Sequence, residues 1–282
     1  MPFSTHGSAS AKGLLRHRGA RVGLAILGLL ILLALAAPWL SPRDPIRTAP
    51  REALRAPTRA FPLGSDQYGR DVLSRVLYGG RISLVVGLVS VGIAVGLGAP
   101  IGLVAGYYGG RLDLVLMRLM DVMLAFPGIL LALAIVSVLQ PSLPNLMIAV
   151  GIAQVPTYAR LVRGTVLAAR EHLYVEAARA AGCRDHGILV RYLLPNVVAP
   201  LIVTATLGLG TAILSAAALS FLGLGSQPPE PEWGRMLSEG RDYLREAWWI
   251  STFPGVGIMA MVLGMNLVGD GLRDVLDPRL RT

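Results

Sequence analysis

The chain has 282 residues, of which 54% are hydrophobic and only 15% charged, with a formal net charge of +9. Ordinary soluble domains carry about 25% charged residues. The composition therefore excludes a typical soluble domain and predicts a multi-pass membrane protein. Arginines that flank membrane helices explain the positive charge better than nucleic-acid binding does.

Runs without a charged residue divide the chain into predicted membrane spans. A bilayer core of about 30 Å needs about 20 helical residues. The runs that reach this length are 22–42, 82–110, 122–159, 192–229 and 247–269. The run at 122–159 is too long for one helix and is interrupted around Pro141 and Pro144, so it predicts two spans joined by a turn. We expect an all-α integral membrane protein with six transmembrane helices and both termini on one side.

The N-terminal part predicts a short cytoplasmic segment and a retained anchor. Residues 1–21 end in a basic stretch, and the first transmembrane helix is expected at 22–40. Its apolar core exceeds that of a signal peptide, and no convincing cleavage site follows. With both termini in the cytoplasm, 15 Lys and Arg lie inside and 11 outside. This is a weak positive-inside pattern, because segment 41–81 alone contributes 8 of the external residues.

Segment 41–81 is predicted to be external. Its first half contains four prolines, which exclude a continuous helix there. Its second half has an apolar stripe opposite a charged side, which predicts a short amphipathic helix lying in the membrane interface. The stripe consists of Val72, Leu73, Val76 and Leu77, and the charged side consists of Arg70, Asp71 and Arg75.

Two features inside the spans are notable. The second span contains small residues that let helix backbones approach closely, either on a neighbouring helix or on a partner subunit. These are Gly92, Gly96, Gly98, Gly102 and Gly106. Asp121 is the one acid near the start of a span, and nearby Arg111 and Arg118 predict that it lies at the cytoplasmic end and reaches the interface.

The residue content limits the chemistry of the chain. Lys12 is its only lysine, so a phosphate-binding loop ending in Gly-Lys-Ser/Thr is not possible and ATP hydrolysis is not expected here. The 4 histidines lie outside the predicted spans, which argues against an intramembrane hydrolase or metalloprotease. No catalytic, cofactor-binding or metal-binding residue is predicted. An ion-gradient-driven secondary transporter is the alternative, although such carriers usually hold ionisable groups at mid-membrane.

The most informative segment is a polar insert at 168–195, between two uncharged runs. Glu176-Ala177-Ala178-Arg179-Ala180-Ala181-Gly182 is followed by Leu194-Pro195-Asn196. The spacing places Tyr174, Ala177, Ala178 and Ala181 on one small helix face. Gly182 falls where a helix C-cap needs positive φ, and a second helix is expected from about Asp185 to Pro195. This pattern predicts a helical hairpin that a soluble partner grips.

Several segments together resemble the permease subunits of binding-protein-dependent ABC importers, and most closely the second permease subunit of the dipeptide, oligopeptide and nickel branch. The insert departs from the general family pattern at Tyr192, where an aliphatic residue is usual. The segments that carry the resemblance are 62–84, Phe126-Pro127, 176–196, 219–225, Pro231-Glu232-Trp233-Gly234 and 269–278.

The resemblance implies a type I ABC importer permease fold, with a five-helix core at 82–282 that includes a cytoplasmic coupling hairpin at 168–195 and a tail at 270–282. The chain would form the transmembrane pathway for di- or oligopeptides in the inner membrane, with nickel or another small solute as the alternative cargo. Implied partners are a second homologous permease, two ATPase subunits that bind the ATP and Mg, an external binding protein and membrane lipid, with no nucleic acid. The implied ATPase-coupling residues are Glu176, Ala177, Ala178, Gly182, Leu194 and Pro195.

Overall fold

A computed structural model describes residues 17–276, and the regular secondary structure in this range is helical. The all-α fold class is therefore confirmed. The helices are α1 (Arg18–Leu35), α2 (Ala37–Leu40), α3 (Val72–Tyr108), α4 (Gly110–Leu124), α5 (Gly128–Leu139), α6 (Leu143–Arg170), α7 (Leu173–Ala180), α8 (Asp185–Ile188), α9 (Leu194–Phe221), α10 (Trp233–Gly240) and α11 (Trp249–Leu276). Short 3₁₀ turns occupy Pro50–Glu52 and Arg241–Tyr243, and a π-helical turn occupies Leu189–Leu193.

Four helical segments in the described range are long and apolar enough to cross a membrane: α1, α3, α11 and the segment Asp185–Phe221 that contains α8 and α9. The pair α4 and α5 adds a fifth crossing if the two helices, which meet at 91°, count as one broken span. The predicted turn between the third and fourth spans is present, because α5 ends at Leu139 and α6 begins at Leu143. The predicted count of six membrane spans is not confirmed, since α6 has the length of a span but is too polar to be counted as one.

The separate interfacial helix predicted within 41–81 is wrong. α3 begins at Val72, directly after its N-cap residue Asp71, and continues for 37 residues to Tyr108. The apolar residues Val72 and Leu77 are buried, but Arg75 on the charged side is buried as well. Both the apolar and the charged side of this segment therefore face protein, and the segment forms the first turns of a long helix. We call the two ends of α3 the Val72 end and the Tyr108 end.

α3 packs against α6 along a line of glycines. The closest approach is at Gly102, where an added Cβ would lie 2.4 Å from the carbonyl oxygen of Ala159. Such a distance is too short for any side chain, so the glycines fix the separation of the two helices. The expected close packing is confirmed for Gly98, Gly102 and Gly106. It does not extend to Gly92 and Gly96, where an added Cβ would meet open space.

Four buried charged residues join the loop before α3 to α10. Glu239 Oε2 accepts hydrogen bonds from Nη2 of Arg70 at 2.6 Å and from Nη2 of Arg75 at 3.1 Å. Arg70 Nε also donates to Asp66 Oδ2 at 2.5 Å. The side chains are 1–8% exposed, and their formal charges cancel, which is the condition for burying them. We call Asp66, Arg70, Arg75 and Glu239 the buried charge cluster.

Two indole groups hold the same region together. Trp233 Nε1 donates to the carbonyl oxygen of Val76 at 2.9 Å, and Trp249 Nε1 donates to that of Ser65 at 3.0 Å. Glu232 caps α10 by accepting two backbone N–H groups of its first turn, each at 2.8 Å. Burial raises the pKa of the Glu232 carboxyl. The loop before α3 is thus a folded layer packed on α10 and α11 at the Val72 end.

Candidate functional site

The predicted docking element lies at the Tyr108 end of α3. α6 ends at Arg170, and α7 begins at Leu173 after a tight turn. Val175 and Ala178 of α7 are three residues apart, on one face of the helix, and both are buried. Val175 joins a small apolar core with Val166 of α6 and Leu193. One face of α7 is therefore fixed to its own chain.

The residues predicted to face a partner divide between the two sides of α7. Glu176, Ala177 and Ala181 are exposed. Ala178 is only 6% exposed and faces the inside of the chain. The spacing predicted one free face made of Tyr174, Ala177, Ala178 and Ala181. This face is not free as a whole, because Ala178 is buried against the rest of the chain.

Gly182 follows the C-cap residue of α7 and has φ +78°, as its position in the sequence predicts. Its N–H donates to the carbonyl oxygen of Arg179 at 3.0 Å, and the N–H of Cys183 donates to that of Ala178 at 3.1 Å. These two bonds form a Schellman motif, in which the left-handed residue is usually glycine. An added Cβ at Gly182 would meet nothing within 4 Å. The surface beyond this residue is open.

The second arm of the hairpin is also helical, as expected. α8 begins at Asp185 and continues through the π-helical turn into α9. Pro195 lies in the first turn of α9, directly after the π-helical turn. Pro195 is exposed and Leu194 is half-buried.

Side-chain contacts between the two arms were not predicted from the sequence. The rings of Tyr174 and Tyr192 stack, with centroids 6.5 Å apart and an interplanar angle of 26°. Asn196 Nδ2 donates to the hydroxyl of Tyr174 at 3.1 Å and to the carbonyl oxygen of Tyr192 at 2.7 Å. Tyr192, the residue that departs from the family pattern, thus braces the hairpin. The departure itself was visible in the sequence, but its partner was not.

Two further hydrogen bonds connect the hairpin to α3. The Tyr107 hydroxyl donates to Asp185 Oδ1 at 2.7 Å. Arg170 Nη1 donates to the carbonyl oxygen of Gly106 at 2.9 Å. Both bonds lie in the last turn of α3, beside the glycine contacts with α6. The hairpin is therefore continuous with α6 and α9 through the backbone and joined to α3 through side chains.

The molecule is a multi-pass helical membrane protein with a braced polar hairpin at one end. The sequence profile of the family described as binding-protein-dependent transport system inner membrane component matches residues 98–282. The chain belongs to this family and is a multi-pass inner-membrane permease component. A second profile, described as the N-terminal TM domain of oligopeptide transport permease C, matches residues 10–57.

Close relatives extend over nearly the whole chain. It is 49% identical to the dipeptide transport system permease protein DppC of Alkalihalophilus pseudofirmus, over 96% of this chain and 89% of the relative. It is 48% identical to the di/tripeptide transport system permease protein DppC of Pseudomonas aeruginosa, over 94% of this chain and 89% of the relative. The glutathione transport system permease protein GsiD of Pectobacterium atrosepticum is 45% identical, over 95% of this chain and 89% of the relative.

Proposed function

We propose that this chain is one of two permease subunits of an ATP-driven importer of short peptides. Its relatives carry the names of dipeptide, di/tripeptide and glutathione permeases, and the shared chemistry of these cargoes is a short peptide with charged ends. The second permease, two ATPase subunits and an external binding protein complete the importer. ATP and Mg bind to the ATPase subunits, because this chain has a single lysine, Lys12, outside any phosphate-binding loop.

The observation that carries the proposal is the construction of the hairpin. Its inner face is fixed by Val175 and Ala178, whereas Glu176, Ala177 and Gly182 present a small, open surface. Small side chains let a partner groove close on the helix backbone. We place this surface in a groove of an ATPase subunit, with Pro195 and the edge of Leu194 beside it. This arrangement puts the hairpin, the start of α1 and the end of α11 in the cytoplasm and the Val72 end outside. Of the predicted cytoplasmic segment 1–21 and tail 270–282, residues 1–16 and 277–282 lie outside the described residues.

Closure of the ATPase subunits would then move three long helices together. α6 and α9 are backbone continuations of the hairpin, and Tyr107 and Arg170 connect it to α3 by hydrogen bonds. The tight line of contacts between α3 and α6 transmits displacement without sliding, since packed interiors resist compression. A movement of the hairpin is therefore converted into a tilt of the bundle, which is the mechanical requirement for alternating access.

Substitutions at Gly182 test the proposal. Gly182→Arg adds bulk and charge where the chain itself leaves open space, so we expect the ATPase subunits to be lost on co-purification and binding-protein-stimulated ATP hydrolysis to fall. Gly182→Asn is the matched control, because asparagine adopts positive φ more readily than other residues and adds little bulk. Wild-type association and hydrolysis in the Gly182→Arg variant would contradict the docking role of this hairpin.

A further inference from the structure

Two ion pairs join α4 to α6. Asp113 of α4 contacts Arg163 of α6, and Asp121 contacts Arg160. The two acids are about 12 Å apart along α4, while their partners are only about 4.5 Å apart along α6. Arg160 and Arg163 lie about 10 to 15 Å along α6 from its end at Arg170. The two pairs are therefore near the Tyr108 end.

The two ion pairs differ in accessibility. Arg163 donates to both carboxylate oxygens of Asp113, at 2.5 and 2.6 Å, and their side chains are 33% and 16% exposed. Arg160 makes one hydrogen bond to Asp121, at 2.5 Å, and their side chains are 52% and 47% exposed. An ion pair as exposed as the second contributes little to stability. The first pair is held by two hydrogen bonds, whereas the second has one and is more accessible to solvent.

The accessible pair lies beside both apolar and charged side chains. Leu119 and Val122, on either side of Asp121 in the sequence, are 55% and 54% exposed. A cavity of about 270 Å³ opens beside Asp121 and is lined in part by Asp113, Arg118 and Arg163. Charged side chains in a membrane segment avoid lipid and face water, a ligand or another subunit. Mixed charge beside a cavity at one end of a permease favours a ligand that carries both signs.

We propose that Asp121 and Arg160 form a site in the translocation pathway for the two charged ends of a short zwitterionic peptide, an inference that rests on the proposed function. Asp121 receives the terminal ammonium and Arg160 the terminal carboxylate, which a guanidinium binds with two parallel hydrogen bonds. The ends of an extended dipeptide are about 7 Å apart, so the ion pair opens to admit the peptide and closes after release.

A photoreactive dipeptide provides the direct test. The full importer, with both permeases, the ATPases and the binding protein, is reconstituted in liposomes and supplied with a dipeptide that carries a diazirine side chain. After illumination during turnover, we expect cross-links on peptides of α4 and α6 around Asp121 and Arg160. Asp121→Asn and Arg160→Gln should each lower dipeptide uptake about 10- to 100-fold, the range for losing a charge-assisted hydrogen bond.

Charge-reversal variants distinguish a ligand-binding pair from an ion pair that only holds the two helices together. D121R/R160D restores an ion pair with opposite polarity, and we expect uptake to stay low while ATPase association is normal. D113R/R163D is the comparison within the same cavity. Asp113 and Arg163 already satisfy each other with two hydrogen bonds, so we expect uptake to recover relative to D113R alone. Full uptake in D121R/R160D, or cross-links that avoid α4 and α6 in the wild-type importer, would overturn the site. Absence of ATP-dependent dipeptide uptake by the wild-type importer would refute the proposed function instead.

Discussion

Glu239→Gln is expected to destabilise the protein strongly, because it removes a charge from the buried charge cluster with little change of shape. Glu239 Oε2 is the acceptor shared by the guanidinium groups of Arg70 and Arg75. The substitution leaves a formal charge of +1 among side chains that are at most 8% exposed. Removing one partner of a buried ion pair costs about 3 to 5 kcal/mol. At about 2 to 4 °C per kcal/mol for a chain of this approximate size, Tm should fall by about 6 to 20 °C.

Thermal unfolding of the detergent-solubilised chain measures this effect, with Glu52→Gln as the matched control. Glu52 pairs with Arg55 at 2.5 Å, but the two side chains are 33% and 54% exposed. Loss of such a surface pair costs at most about 1 kcal/mol. A second substitution, Arg70→Met, returns the Glu239→Gln cluster to neutrality and should recover part of the lost Tm. If Glu239→Gln lowers Tm no more than Glu52→Gln does, or if Arg70→Met adds its full cost, uncompensated buried charge is not the cause.

Two further predictions address packing and topology. Gly102→Leu should destabilise the contact between α3 and α6 by about 1 to 3 kcal/mol or more through overpacking. Gly92→Leu is the control, because its side chain enters open space, and it should leave the Tm of the solubilised chain nearly unchanged. Equal effects of the two substitutions would show that the glycine line does not set the helix separation. On a Cys183→Ser background, a cysteine at the exposed position Arg59 should react with an impermeant thiol reagent only from outside, and one at the exposed position Glu176 only from the cytoplasm. Reaction of both from the same face would rule out the proposed orientation.

Features that depend on neighbouring residues were predictable from the sequence. Gly182 adopts positive φ because it follows a short helix and closes its last turn, and this needs no contact from elsewhere in the chain. The turn at 140–142 is also local, since Pro141 and Pro144 interrupt an otherwise uniform apolar run. The charge-free runs likewise locate most of the long helices. Each of these features is determined within a few residues.

Features that depend on remote residues were not predictable. Arg75 resembles the solvent side of an amphipathic helix until Glu239, 164 residues later, is placed beside it. Ala178 belongs to an apparent free face until the fold buries it against the chain, and Asp121 gives no indication that Arg160 is its partner, 39 residues away. Spacing identifies a helix face, but the burial of that face depends on which other helix covers it. The sequence therefore predicted the helical hairpin as a segment but only part of its exposed surface, and its docking role stays a prediction.

The long separation between Arg75 and Glu239 has a consequence for synthesis. A ribosome that adds about 5 to 20 residues per second needs about 8 to 33 s to make the 164 residues between them. During this interval Arg70 has Asp66 close in sequence, but the cluster carries one arginine more than it has acids. The loop before α3 cannot reach its final structure until Glu239 has been made. We therefore expect a chain truncated before α10 to leave this loop incompletely packed and more sensitive to proteolysis than in the complete chain.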